Sequence, residues 1–226
     1  YSSVIAILRD FQRGGARQVN PMRVPFATSN CAPSWWMIRR GITGYNGNIG
    51  SGECSGLDAI LLAIMQIRRG RIDAAIAGGV ESQTPELWDG LRRMQRVRGP
   101  ISEAVGTLAL SCDAEGAWAR CAGWAAAFER KAPDTALERA AKIALKRAGR
   151  ERVDLAVTPH VGGHGLPATA SVARLPFLGE TLGAGSALAA LVGALHMARG
   201  DSAPTSVLVG ARSAEGYASA LVMEAV

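Results

Sequence analysis

The sequence from Ser51 to Ser82 reads SGECSGLDAILLAIMQIRRGRIDAAIAGGVES and carries the clearest structural pattern in the chain. Its apolar residues recur at helical spacing and predict an amphipathic helix: Leu57, Ile60, Leu61, Ile64 and Ile67. Either Ser51 or Ser55 is expected to cap this helix, and Gly70 follows its last turn. The short apolar run over 72–77 ends at a glycine pair and predicts a buried strand.

The second half of the chain shows the same alternation of helix and strand. Periodicity predicts helices over 133–148 and 183–199, and short apolar runs predict strands over 153–157, 206–210 and 217–224. Helices that alternate with strands indicate a layered α/β fold. The two stretches 1–112 and 113–226 are organised alike, which suggests two halves related by an internal duplication.

The composition excludes several classes of protein. With 226 residues, 48% hydrophobic and 19% charged, the chain is neither disordered nor too short for a core. The apolar stretch over 182–198 is interrupted by glycine, serine and histidine, so we expect no membrane span. The net charge of +6 is compatible with an acidic partner, but the basic runs have no interleaved aromatics and predict no nucleic-acid binding.

The four cysteines form no C-x-x-C pair and no metal-binding spacing. A reduced protein of the cytoplasm is the simplest interpretation. We therefore expect no metal, and nothing in the sequence indicates a cofactor.

Residues 44–60, GYNGNIGSGECSGLDAI, resemble the nucleophile region of β-ketoacyl-acyl-carrier-protein synthases, G-P-N-x-x-V-x-T-A-C-A-S-G-x-x-A-I, without a gap. The similarity continues through the glycine pair to Glu81. Weaker matches follow in the family's order at 102–110, 159–163, 178–184 and 215–224. The resemblance implies a thiolase-like α/β/α/β/α fold, which we expect to be truncated at the N-terminus because the family's first strand and helices have no counterpart here.

The departures from this family bear on function. Active synthases place a cysteine nucleophile at a helix N-terminus, and the resemblance puts Glu53 at that position. Cys54 follows one residue later, turned by about 100° on a helix, and is expected to be a small buried residue. The first family histidine is retained as His160, whereas the second is Glu180. No catalytic residue is therefore expected, and Glu53, His160 and Glu180 should form a vestigial pocket.

The pattern is most similar to the chain-length factors of type II polyketide and polyene systems. The resemblance implies a heterodimer with an active ketosynthase, which supplies the cysteine, and only an indirect encounter with the acyl carrier protein. The implied dimer interface is the strand before the nucleophile position: Asn46, Gly47, Asn48, Ile49, Gly50 and Ser51. Bulky residues that could close the acyl tunnel are Phe26, Met65 and Trp88.

Several interpretations stay open. In the pocket, His160 could pair with one carboxylate, the two glutamates could share a proton, or the three groups could bind a metal. The chain could instead decarboxylate malonyl-carrier protein, or act on another acyl thioester, with Glu53, His160 and Glu180. A binding relative with no acyl role is the third class of function.

Overall fold

The computed structural model describes residues 2–94, 100–159, 166–168, 172–174, 179–200 and 203–226. Two compact units divide the chain. The small unit comprises 1–48 and 83–98, and the large unit comprises 49–82 and 99–226. These units are divided differently from the two predicted halves, 1–112 and 113–226, and the internal duplication stays a prediction.

In the part of the small unit that the structure describes, the α-helices are α1 (Ser2–Gly14), α2 (Cys31–Arg40) and α4 (Pro85–Arg93). Two 3₁₀ segments, Gly15–Gln18 and Pro21–Ala27, connect α1 toward α2. Thr84 caps the N-terminus of α4, because its hydroxyl accepts a hydrogen bond from the Leu87 N–H at 3.2 Å. Pro85 is the first residue of the helix.

The described residues of the large unit form three α-helices and seven strands. The helices are α3 (Ser55–Arg68), α5 (Pro133–Arg147) and α6 (Leu182–Met197). The strands are β1 (Ala74–Glu81), β2 (Ala104–Ser111), β3 (Arg120–Phe128), β4 (Leu155–Thr158), β5 (Val172–Arg174), β6 (Ser206–Arg212) and β7 (Tyr217–Glu224). The predicted helices and most of the predicted strands are therefore present, with ends shifted by a few residues.

Two sheets enclose the central helices of this unit. The five-stranded sheet has the order β3-β7-β6-β4-β5, with β4 parallel to β5 and β6 and with β7 antiparallel to β3 and β6. Helix α5 packs on one face of it, and α3 and α6 pack on the other. The antiparallel pair β1-β2 lies on the far side of α3 and α6, so helix and sheet layers alternate. Within the described residues, no helix combines the length and apolar character needed to span a membrane.

Alternating side chains on β6 and β7 separate two cores. On β6, Val207 and Val209 face α3 and α6, whereas Leu208 faces α5. On β7, Leu221 faces α3 and α6, whereas Val222 faces α5. This period of two is what a strand covered on both faces requires.

Strand β1 extends beyond the predicted 72–77 and continues through Gly78 and Gly79 to Glu81. The glycines stay in the strand because they pair with Thr107 and Gly106 of β2. Neither position has room for a Cβ atom, which on Gly78 would meet the backbone of Gly106 and Thr107 in β2 and on Gly79 would meet the backbone of Gly183 and Ala184 in α6. A glycine pair that suggests a strand end in sequence is here a point of close packing.

We predict that Gly79→Ala destabilises the large unit. An added Cβ atom would lie 2.8 Å from the Gly183 carbonyl oxygen and 2.9 Å from the Ala184 Cα, and backbone atoms of a helix cannot move aside. The free energy of unfolding should fall by about 1–3 kcal/mol, as for other overpacked cores, which urea denaturation followed by circular dichroism measures. Gly50→Ala is the control, because its Cβ atom meets nothing within 4 Å. Equal stability of the two variants would contradict this account.

Candidate functional site

A short 3₁₀ turn, Gly52–Cys54, leads directly into the N-terminus of α3. Gly52 adopts a φ of 64°, which favours glycine. The Ser55 hydroxyl donates to the Gly52 carbonyl at 2.6 Å and accepts from the Ser51 N–H at 2.9 Å. This turn places the partly exposed Glu53 at the start of α3. The predicted capping of the helix by Ser51 or Ser55 is wrong, since no side chain caps α3.

Ser51 does not cap the helix because its hydroxyl donates to the carboxylate of Asp58. Asp58 is 8% exposed and also accepts hydrogen bonds from the hydroxyls of Ser219 and Tyr217 on β7. Burial raises the pKa of the Asp58 carboxyl, and the three hydroxyl donors oppose that rise. These hydrogen bonds connect the segment before α3 to β7 of the five-stranded sheet.

Cys54 is completely buried, as expected from the sequence. Its Sγ lies 3.7 Å from the Tyr217 carbonyl oxygen. Burial raises the pKa of this thiol far above its ordinary value, and the charges of Asp58 and Glu53 raise it further. A thiol that stays protonated is a poor nucleophile, so burial of Cys54 disfavours a nucleophilic role for it.

The head of α6 lies beside the head of α3. A Cβ atom on Gly56 would be 2.7 Å from both the Ala187 Cβ and the Gly183 carbonyl oxygen, so the two helices are as close as their backbones allow. The Ser186 hydroxyl adds a bridge by accepting a hydrogen bond from the Leu57 N–H at 3.0 Å. Glu180, which precedes α6, is thereby brought near Glu53.

Glu180 lies at the positive end of the α6 dipole. Its carboxylate accepts a hydrogen bond from the Leu182 N–H at 2.7 Å. Burial raises the pKa of Glu180 above its ordinary value. The Leu182 and Thr181 N–H groups lower it, and the charge of Glu53 raises it. This direction agrees with a proton shared between the two glutamates, and that sharing stays a prediction.

A third carboxylate belongs to this site and was missed in the sequence. Burial raises the pKa of Glu81, whose carboxylate accepts from the Gly183 N–H and is also affected by the charge of Glu180. Leu182, between these contacts, has a φ of 44°, in the left-handed region that side chains rarely adopt. Backbone strain of this kind is concentrated at functional sites.

The site therefore differs in part from the predicted pocket. Glu53 lies near enough to Glu180 for its charge to raise the pKa of the Glu180 carboxyl. His160 lies outside the described residues, so its place in the pocket stays a prediction. Among the residues that the structure describes, no group of histidine, cysteine, aspartate and glutamate side chains could hold a metal ion. The sequence analysis also missed Asp58. A charged residue on the apolar face of the predicted helix could have indicated a buried carboxylate there.

The predicted interface segment 46–51 forms no strand, because no described strand lies beside it to complete a ladder. Asn46, Gly47, Asn48 and Gly50 are exposed, and Ile49 and Ser51 are partly buried. The amide of Asn46 donates to the Ser34 hydroxyl at 2.9 Å, and the amide of Asn48 donates to the Ser29 carbonyl at 2.8 Å. The role of this segment in dimerisation stays a prediction.

Two of the three predicted tunnel residues, Phe26 and Trp88, belong to the small unit, and the third, Met65, belongs to the large unit. Phe26 is 49% exposed and stacks on Trp35, with ring centroids 5.8 Å apart. Trp88 is partly buried on α4, and the Arg92 guanidinium lies 3.9 Å from its ring centroid. Met65 is partly buried on α3 in the large unit. Whether these side chains line one tunnel stays a prediction.

The alternating layers of helix and sheet in the large unit, with the N-termini of α3 and α6 side by side, are those of a thiolase-like fold. Residues 5–119, half of the chain, match the N-terminal domain of the β-ketoacyl synthases. The chain therefore belongs to the β-ketoacyl synthase family. No curated protein matches its sequence.

Solved structures confirm the fold. The ishigamide ketosynthase/chain length factor has a TM-score of 0.83 at 16% identity, over 99% of this chain and 72% of that chain. The AntDE:AntF complex, a type II polyketide synthase acyl-carrier protein with its ketosynthase bound to the hexaketide, has a TM-score of 0.81 at 18% identity, over 100% and 75%. A β-ketoacyl synthase from Burkholderia phymatum STM815 has a TM-score of 0.81 at 17% identity, over 100% and 72%.

We predict that Glu180→Gln stabilises the chain at high pH. A carboxyl whose pKa is raised by folding favours the folded state below its ordinary pKa, and this contribution is lost as the pH rises through the raised value. The variant should therefore match the parent chain near pH 4 and exceed its melting temperature near pH 8. The exposed Glu151→Gln removes the same charge and should show no such trend. If the melting temperatures of the parent chain and Glu180→Gln changed in parallel with pH, the raised pKa of Glu180 would be contradicted.

Proposed function

We propose that this chain is a non-catalytic ketosynthase-like subunit, a chain-length factor. It forms a heterodimer with an active ketosynthase and shapes the tunnel that holds the growing acyl chain. The acyl carrier protein delivers its cargo to the partner, and its encounter with this chain is indirect. Four free cysteines suit a reducing cytoplasm.

One observation carries the proposal: a carboxylate, Glu53, stands at the head of α3, where a synthase needs its thiol. Covalent thioester catalysis requires an activated nucleophile and a positioned base. A carboxylate is a weak nucleophile toward a thioester, and the neighbouring thiol of Cys54 is buried and held protonated. The site thus lacks the group that would carry the acyl chain.

The charges at the site also argue against decarboxylation of a malonyl group. That reaction develops negative charge on an enolate oxygen, which needs hydrogen-bond donors or cations close by. Here the carboxyls of Glu53, Glu81 and Glu180 surround the two helix heads, and the Leu182 and Gly183 N–H groups are already engaged by carboxylates. A developing anion would be repelled.

We predict that Glu53→Ala leaves the activity of the reconstituted complex within about twofold of the parent complex, because the chain contributes no bond-making group. The measurement is polyketide formation by the purified heterodimer with loaded carrier protein. Replacing the partner's own nucleophile is the matched control and should abolish product.

A large loss of activity in Glu53→Ala, with the heterodimer intact by size-exclusion chromatography, would contradict a non-catalytic role. Release of carbon dioxide from malonyl-carrier protein by the isolated chain, abolished by the same substitution, would favour the decarboxylase. Failure of the two subunits to associate would reject the chain-length factor altogether.

A second prediction concerns product length. If Trp88 closes the tunnel, Trp88→Gly removes that stop and the product should lengthen by at least one two-carbon unit. The exposed Trp118→Gly, in the large unit, is the control and should leave the product unchanged. Mass spectrometry of the released products distinguishes these outcomes. An unchanged product from an intact complex would exclude Trp88 as the stop.

A further inference from the structure

Strand β3 forms one edge of the five-stranded sheet, and its sequence is apolar. The nine residues Arg120–Phe128 read RCAGWAAAF, with no charged residue after Arg120 and no proline. Among the described strands, only β7 pairs with β3, so backbone N–H and C=O groups on its other side have no strand partner. A long apolar edge of this kind is a template for pairing with another chain. The opposite edge, β5, is a weaker template because it is only three residues long.

Two arginines from different helices bind backbone carbonyls of this edge strand. The guanidinium of Arg68, the last residue of α3, donates to the Cys121 carbonyl at 3.0 Å. The guanidinium of Arg147, the last residue of α5, donates to the Trp124 carbonyl at 2.6 Å. Because α3 and α5 pack on opposite faces of the sheet, the two side chains reach β3 from both faces.

A β-bulge allows both carbonyls to point to the same side of β3. Along a regular strand, carbonyls three residues apart point to opposite sides. The register with β7 shifts between Cys121 and Gly123, which adds one residue to β3 alone. The carbonyls of Cys121 and Trp124 therefore share a side, and since each binds a guanidinium, that side is the one without a strand partner.

Arg68 is held at the edge by a second contact. Its guanidinium carbon lies 4.4 Å from the centroid of the Trp124 ring, in a cation–π geometry. The planar guanidinium has donors to spare for the Cys121 carbonyl while it stacks on the ring. An incoming strand would have to displace these charge-assisted hydrogen bonds, which are stronger than hydrogen bonds between neutral groups.

We infer that Arg68 and Arg147 close the β3 edge against pairing with a second copy of this chain. Two β3 strands that paired antiparallel about a two-fold axis would satisfy both open edges at once and form a closed dimer. The same pairing would bring two copies of each arginine together, and their like charges repel. Helices α3 and α5 thus supply the charge that the edge strand itself lacks.

The test measures self-association of the full chain by size-exclusion chromatography with light scattering. Arg68→Ala/Arg147→Ala should raise the mass to about twice that of the parent chain at the same concentration, as expected for a closed dimer. The control Arg92→Ala/Arg93→Ala removes the same charge from the last turn of α4, where Arg92 also lies over a tryptophan ring. This control should keep the mass of the parent chain.

Two further measurements distinguish edge pairing from aggregation of unfolded chains. In hydrogen exchange, the amides of β3 should be more protected in the associated variant than in the parent chain, whereas the amides of α3 and α6 should exchange as before. Ala126→Lys adds a charge at an exposed position of β3. Combined with the two arginine substitutions, it should restore the mass of the parent chain, because a charged side chain on an edge strand opposes pairing.

A mass equal to that of the parent chain for Arg68→Ala/Arg147→Ala, over the whole concentration range, would overturn the inference. Equal association of the control would also overturn it, as would association that leaves the β3 amides unprotected or persists with Ala126→Lys. These measurements use the chain without a ketosynthase, so their results are independent of the proposed function.

Discussion

The close approach of α3 and α6 is the constraint on which the large unit and its site depend. Gly56 allows the two helix backbones to meet where any larger side chain would separate them, Gly183 faces Ser55 with little room to spare, and Gly79 allows β1 to lie directly beneath. Dispersion contacts fall off steeply with distance, so even a small separation would weaken both interfaces. The small residues of these helices are thus a requirement of packing.

That approach also determines the chemistry of the site. Each helix directs the N–H groups of its first turn toward the same region, a setting that favours negative charge. In this chain the negative charge is supplied by the protein's own carboxylates, Glu81 and Glu180, which accept hydrogen bonds from the start of α6. The first N–H groups of α6 are therefore engaged by side chains of the protein itself.

The sequence predicted the local elements well, because the periodicity of residues 57–67 and the apolar run of β7 are signals that depend on neighbours only. It did not predict the network of Asp58, since Tyr217 and Ser219 are about 160 residues away and meet it only when β7 is aligned in the sheet. The proximity of Glu53 and Glu180 followed from resemblance to a family, not from spacing. The extension of β1 was missed because a glycine pair signals a turn unless its packing partner is known.

The carboxylates around the N-terminus of α3 have a consequence for any substitution at residue 53. A cysteine placed there would stand near Glu180, and neighbouring negative charge disfavours a thiolate. Such a substitution would supply a thiol without the reactivity of a thiolate, unless Glu180 were changed as well.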